Sequence, residues 1–252
     1  MHDWFTTEKI NEKTFVISEY RHPEETHSYL LVGDDRALLI DTGLGVGNMA
    51  EEVKKLSSLP VTAIATHVHW DHIGGHTLFP DFYVHEAEKA WIEGKFPLPT
   101  SLVKRFLAEG DLPQDFDLDS YEIFRGIPTM ILRGGEMLDL GGRIVQALHT
   151  PGHAAGHLCF WEAQTGYLFT GDLVYKGTLY ANYESTDPTA FLSSLEKIAD
   201  LPVKRLFPAH HSLDVSPTLL TRTRDAFREI QKAGKLRHGG GSWGFGDFSI
   251  LL

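Results

Sequence analysis

The stretch His67-Val68-His69-Trp70-Asp71-His72 decides how the rest of the chain is read. It comes directly after residues 61–66, a β-branched, apolar run that predicts a buried strand. In an extended segment, residues two apart point the same way, so His67 and His69 face one side together. Asp71 and His72 fall where the chain turns, and Gly74-Gly75 permits that turn. Four such side chains at the end of one strand would be an awkward surplus of polarity in a core. Neutral imidazole nitrogens and carboxylate oxygens are what zinc, iron or manganese accept.

One segment cannot encircle two metals, so further ligands must come from elsewhere. The candidates share the same context, the end of a strand entering a loop. His153 closes His149-Thr150-Pro151-Gly152-His153, after a strand expected over 143–148. Asp172 closes Thr170-Gly171-Asp172, after one at 167–170. His210 follows a strand expected at 203–207. Reactive groups collect at such places because the sheet fixes them while water and substrate can reach them.

Working outward, residues 14–20, 28–33 and 36–41 read as strands, the last two joined by the turn Gly33-Asp34-Asp35-Arg36. Residues 48–59 carry Met49, Val53 and Leu56 at helical spacing. Residues 86–94 and 100–110 look helical, broken by Pro97 and Pro99, and an acidic stretch follows. The segment from about 86 to 135 reads as a helical insertion within a single domain spanning 1–252, because it lacks a core pattern of its own. Its aromatics, Trp91, Phe96, Phe106, Phe116, Tyr121 and Phe124, either line a cleft or pack the insertion; packing is favoured for most. Strands follow at 136–140, 143–148, 157–162, 167–170 and 203–207. Asp187-Pro188 starts a helix with Asp as cap and Pro at the first position, and Ser216-Pro217 starts the last one, to about residue 235. The tail from 238 is Gly-rich and then apolar, and either docks as a strand or stays mobile.

The chain has 252 residues, with 23 Lys plus Arg and 34 Asp plus Glu, for a net charge of −11. That balance argues against a nucleic-acid partner, which draws on clustered Lys and Arg. No apolar run approaches the roughly 18 residues of a membrane helix, and the N-terminus lacks a secretion-signal pattern, so a cytoplasmic protein acting on a small-molecule substrate is expected. Oligomeric state is not readable. The single Cys159 excludes an intramolecular disulfide framework and reads as a buried structural thiol.

Taken together, Ile40-Asp41-Thr42-Gly43, Thr66-His67-Val68-His69-Trp70-Asp71-His72, His149-Thr150-Pro151-Gly152-His153, Thr170-Gly171-Asp172 and Phe207-Pro208-Ala209-His210 resemble the metallo-β-lactamase superfamily, in the family's order. Ala209 stands where Gly is common. His211 beside His210 leaves two candidates for the last ligand; His210 has the family's spacing from Pro208. The resemblance implies an α+β fold, the four-layer αββα sandwich, with a dinuclear metal centre. Carried over by position, His67, His69 and His153 hold the first ion, Asp71, His72 and His210 the second, and Asp172 bridges. Two divalent ions are implied, zinc first, with iron or manganese also accommodated. Asp41 either orients a ligand or caps the following loop.

Such a centre implies a hydrolase in which a metal-bridging hydroxide cleaves a small ester, thioester, lactone or amide. Asp71 then has a catalytic part, orienting the nucleophile or passing on its proton. Tyr175, three residues after Asp172, stands where quorum-quenching lactonases carry a Tyr that polarises the lactone carbonyl; plain packing is the alternative. His157 reads as a supporting or structural residue, and His76, His85, His149 and His211 have no matching role. Gly43-x-Gly45-x-Gly47 lacks nucleotide-loop spacing. A mononuclear iron persulfide dioxygenase is the alternative function on the same fold, using about half of the seven ligands. A glyoxalase-II-like thioesterase, a lactonase and a β-lactamase all fit the metal site.

Overall fold

The computed structural model describes residues 3–252. The chain divides into two compact units, Met1–Leu132 with Asp139–Arg143, and Arg133–Leu138 with Ile144–Leu252.

The first unit is built on a seven-stranded sheet whose spatial order follows the sequence: β1 (Thr6–Asn11), β2 (Thr14–Ser18), β3 (His27–Val32), β4 (Ala37–Ile40), β5 (Val61–Ile64), β6 (Phe82–His85) and β7 (Met130–Leu132). Strands β1 to β4 pair antiparallel, and β4 to β7 pair parallel. Parallel neighbours need crossovers. These carry helices α1 (Met49–Leu56), α2 (Trp70–Ile73) and α3 (Thr100–Leu107). The central strands are buried on both faces, β4 at all four residues, which is why they read as unbroken apolar runs. The carboxyl ends of β4 and β5 lie side by side, so Asp41 and the segment starting at Thr66 leave the sheet from one edge. In parallel sheets that edge is the usual place for ligands.

In the second unit, a sheet is ordered β13 (Arg205–Pro208), β11 (Tyr167–Gly171), β10 (Leu158–Glu162), β9 (Ile144–His149), β8 (Met137–Asp139). Because β10 is antiparallel to both β9 and β11 and β11 is parallel to β13, the carboxyl ends of β9, β11 and β13 share one edge. His153, Asp172 and His210 follow those three ends. Helix α4 (Pro188–Ile198) starts as expected, with Asp187 accepting from the Thr189 and Ala190 amides. Helix α5 (Thr218–Lys232) packs on it, Phe191 stacking on Phe227 at 4.6 Å. The tail is ordered as strands: β15 (Phe248–Leu251) pairs with β14 (Ser242–Gly244) and with β12 (Gly177–Tyr180).

Several expectations need correction. Strands β1, β6, β7 and β12 were not readable, and the tail forms two strands, β14 and β15, where at most one was expected. Strands β6, β7 and β12 are only three or four residues long, and β1 is polar and largely solvent-facing. Residues 86–94 do not form one helix. A 3-10 turn at Glu86–Glu88 is followed by a π turn, Trp91–Lys95, interrupted by Gly94 at φ 117°. Gly74 and Gly75 serve a different purpose from the one expected. Gly74 has an ordinary helical φ of −57°; a Cβ there would stand 2.3 Å from the Leu44 carbonyl carbon. Close approach of two backbones, not turn freedom, requires glycine. The segment 86–135 contributes Ile92, Val103, Leu107, Tyr121 and Ile123 to the same apolar cluster as Ile17, Leu30 and Leu39 of the sheet.

Candidate metal centre

In the first unit, His67, His69, Asp71 and His72 lie within one turn after β5. His67 and His69 offer ligand atoms within 4.8 Å of one another, as do His67 and His72, and Asp71 and His72. His67, Asp71 and His72 are buried, and His69 is half-buried.

Asp41 organises this group. Its Oδ1 accepts from the Thr66 amide at 2.7 Å. Its Oδ2 accepts from the Thr66 hydroxyl at 2.8 Å and from His72 Nδ1–H at 2.9 Å. The Thr66 oxygen, its proton given to Asp41, accepts from His67 Nδ1–H at 3.0 Å. Both imidazoles are therefore held with the proton on Nδ1, so Nε2 is the nitrogen of metal-binding type. His67 Nε2 faces His69 Nδ1 at 2.9 Å. Asp41 sits at φ 59°, a left-handed conformation that Asp tolerates better than most residues. Its orienting role is the stronger of the two sequence readings.

In the second unit, Asp172 lies between two imidazoles. His153 Nε2 is 3.4 Å from Asp172 Oδ2, and His210 Nε2 is 3.2 Å from Oδ1. One oxygen on each side is the arrangement a bridging carboxylate needs. His153 Nδ1–H donates to the Tyr180 carbonyl at 3.3 Å, which again leaves Nε2 without a proton. The Asp172 amide donates to His157 Nε2 at 3.1 Å, and His157 Nδ1–H donates to Thr150 Oγ1 at 2.9 Å. His157 thus fixes the Asp172 backbone. His211 stands apart from this pattern, at φ 62° with its ring against Tyr175.

The groups of His and Asp side chains able to hold an ion, among the described residues, draw on the seven residues singled out from sequence and no others. The donor set suits a divalent cation: buried carboxylates and imidazoles, three of them locked in the ligating tautomer.

Tyr175 is buried, and its hydroxyl donates to the Thr178 carbonyl. Its ring lies 5.6 Å from that of His210. Cys159 is fully buried and burial pushes its thiol up to about 12, so it is inert at neutral pH. His76 is held neutral by burial, its pKa lowered to about 3, and its Nδ1 bonds Thr42. His85 caps the turn at Glu86–Glu88, and His149 Nε2–H donates to the Ala155 carbonyl.

Two buried acids escaped sequence reading. Glu88 accepts from the Val68 amide, between the two His of the motif, at 2.8 Å. Glu19 accepts from Trp4 Nε1 at 2.5 Å, Thr26 Oγ1 at 2.8 Å and the Leu44 amide at 2.9 Å; burial raises it to about 7. Neither carries a local signal: Glu88 meets a backbone amide elsewhere in the chain, and Glu19 is held by the Trp4 and Thr26 side chains and the Leu44 amide.

The fold and these residues define the class. Residues 22–210, about three quarters of the chain, match the family described as Metallo-beta-lactamase superfamily, and the chain belongs to that superfamily. It has the metallo-β-lactamase fold, α+β with mixed sheets. Among curated relatives it is 28% identical over 256 residues to the acyl-coenzyme A thioesterase MBLAC2 of Homo sapiens, covering 92% of this chain and 89% of that one. It is also 28% identical over 188 residues to the hydroxyacylglutathione hydrolase of Synechococcus sp., covering 74% and 64%. A solved metallo-beta-lactamase family protein of Thermus thermophilus has a TM-score of 0.67 at 23% identity, over 89% of this chain and 82% of that one. Among the described residues no helix is long and apolar enough to cross a membrane.

Proposed function

We propose that the chain is a dinuclear metal-dependent hydrolase that cleaves a small-molecule thioester, with zinc as the resident metal. The observation that carries this reading is that Nδ1 of His67, His72 and His153 each faces an oxygen acceptor of its own, which assigns the proton to Nδ1. Side chains merely packed together would not need the same nitrogen turned to the same use at three positions.

In this reading His67, His69 and His153 would hold one ion, Asp71, His72 and His210 the other, and Asp172 would serve both. Bound there, the two cations would lower the pKa of a shared water and polarise an acyl carbonyl. Asp41 keeps His67 and His72 in register, and His157 and the Tyr180 carbonyl do the same for Asp172 and His153. Asp71, a buried carboxylate with Oδ2 3.6 Å from His72 Nε2, would be the group to orient a nucleophilic water or take up its proton. Tyr175 can serve as an oxyanion donor only by turning its hydroxyl away from Thr178.

Thioesters are preferred over lactones and amides because two of the relatives, a curated acyl-coenzyme A thioesterase and a hydroxyacylglutathione hydrolase, carry thioester-cleaving names. The test is a panel of acyl-coenzyme A, acylglutathione, lactone and β-lactam substrates, run with wild type and with His69→Ala and Asp172→Ala. Thioester cleavage by wild type, lost more than a hundredfold in both variants with circular dichroism unchanged, is the expected result. Undiminished cleavage by Asp172→Ala sinks the mechanism, and activity on lactones alone sinks the substrate assignment.

A further inference from the structure

The aromatic residues of the 86–135 segment divide into two sorts. Phe106 rests against Trp70 at 5.9 Å, Phe124 against Phe82 at 5.3 Å, and Phe116 against Tyr121 at 6.5 Å. These are packing contacts. Trp91 and Phe96 pack against the same apolar cluster, and in addition both lie against His69. The Trp91 ring stacks on the His69 imidazole, centroids 6.1 Å apart and planes at 16°. Phe96 stands edge-on to His69 at 6.3 Å and nearly perpendicular to Trp91, 5.9 Å away at 86°. All three rings are half-buried, so each keeps part of its surface exposed.

A single flat ring would be enough to brace His69. A second ring at right angles touches His69 edge-on as well, and where the two aromatic rings meet they make an apolar corner. The corner is set by an unusual backbone, the π turn Trp91–Lys95, with Gly94 at φ 117°. Turns of that kind interrupt regular helix at a cost and recur at functional positions. The one acid within the turn, Glu93, is neutralised by Lys89 at 2.6 Å. Beside a candidate metal ligand, such a corner favours hydrocarbon and disfavours a hydrated or charged group.

We propose that Trp91 and Phe96 form the subsite for the acyl chain of the substrate, and that this chain is a hydrocarbon of several carbons. The inference rests on the reading of His69 as a metal ligand. It extends that reading from the kind of bond cleaved to the acyl group carried.

The experiment measures binding, not turnover. Straight-chain carboxylates from acetate to decanoate are titrated calorimetrically into the full chain, purified without chelator, and into Trp91→Leu, Trp91→Ala and Phe96→Ala. Metal content is determined on the same samples. In wild type, affinity should rise about fourfold per methylene while the chain is in contact with the rings. The variants should lose tenfold or more for octanoate and far less for acetate. Two results would overturn the subsite: no rise with chain length in wild type, whatever the metal content, or variants that weaken acetate as much as octanoate, which is the mark of a brace for His69. A metal-free wild type whose affinity still climbs with chain length sinks the metal reading alone.

Discussion

Replacing Asp41 by Asn tests how the first unit sets its ligands. Asn matches Asp in size and tolerates the left-handed φ of 59°, so the backbone need not move. The hydrogen-bond logic does change. Asp41 Oδ2 accepts two protons, from Thr66 Oγ1 at 2.8 Å and from His72 Nδ1 at 2.9 Å. An amide nitrogen placed there is a donor. His72 Nδ1 must then lose its proton, which moves to Nε2. Thr66 must accept rather than donate, so its own proton turns toward His67 Nδ1 and drives that ring to the same wrong tautomer. Flipping the amide puts its NH2 against the Thr66 amide instead, 2.7 Å away, where two donors meet. Changes of this kind in a ligand's supporting partner cost about 10–100-fold in metal affinity. With two ligands affected, the expected loss is about a hundredfold, or about 2.7 kcal/mol. Competition against a chromogenic chelator reads it directly, with thermal melting of the metal-free protein as a control on folding. Affinity within threefold of wild type would refute the account of tautomer control.

Three further outcomes follow from single contacts. His157→Leu removes the acceptor of the Asp172 amide, a buried donor whose orphaning costs about 1–3 kcal/mol. A melting temperature lower by about 3–10 °C is expected, with partial recovery in His157→Gln, and an unchanged melt would mean that the amide finds another acceptor. Glu19, raised from 4.5 to about 7 when folded, keeps its proton more tightly in the native state than in the unfolded one. It therefore contributes stability below pH 4.5 that is lost as pH rises toward 7, about 3 kcal/mol across that window. Denaturant titrations of the metal-free protein at about pH 5 and about pH 7.5 should show a steeper fall in wild type than in Glu19→Gln; parallel curves count against it. Tyr175→Phe removes one hydrogen bond to the Thr178 carbonyl. Less than a threefold change in kcat on thioesters and lactones is expected, and a tenfold fall in kcat without a change in KM would place that hydroxyl on the substrate.

What was legible in the sequence follows from where the information lies. The candidate ligands sit in short motifs after apolar strands, so pattern and position coincide. That is why His67, His69, Asp71, His72, His153, Asp172 and His210 could all be named before any geometry. Strands β4, β10 and most of β2, β3, β5 and β11 are buried nearly throughout, and β9 was readable from Ile144, Val145, Ala147 and Leu148 although its burial alternates. Strand β12 was not, being four residues long and paired with β15, some seventy residues later in the chain. Supporting partners are the least legible. Asp41 could be suspected from its place beside a strand end, but Glu88 reaches the Val68 amide across about twenty residues with only a hydrogen bond to mark it. The segment from 86 to 135 was readable as a partly helical insertion carrying aromatics but not as shape. Nothing in Trp91 or Phe96 as letters says that their rings meet at a right angle beside His69.

The central claim is that these seven residues hold two divalent ions, and metal stoichiometry tests it most directly. Elemental analysis on the full chain, purified without chelator or added metal, should give close to two equivalents of zinc per chain, falling sharply in Asp172→Ala. A wild-type protein that carries no metal and takes up none on reconstitution contradicts the account. One equivalent, nearly all iron, contradicts the dinuclear hydrolase and turns attention to oxygen-dependent sulfur chemistry at the same ligands.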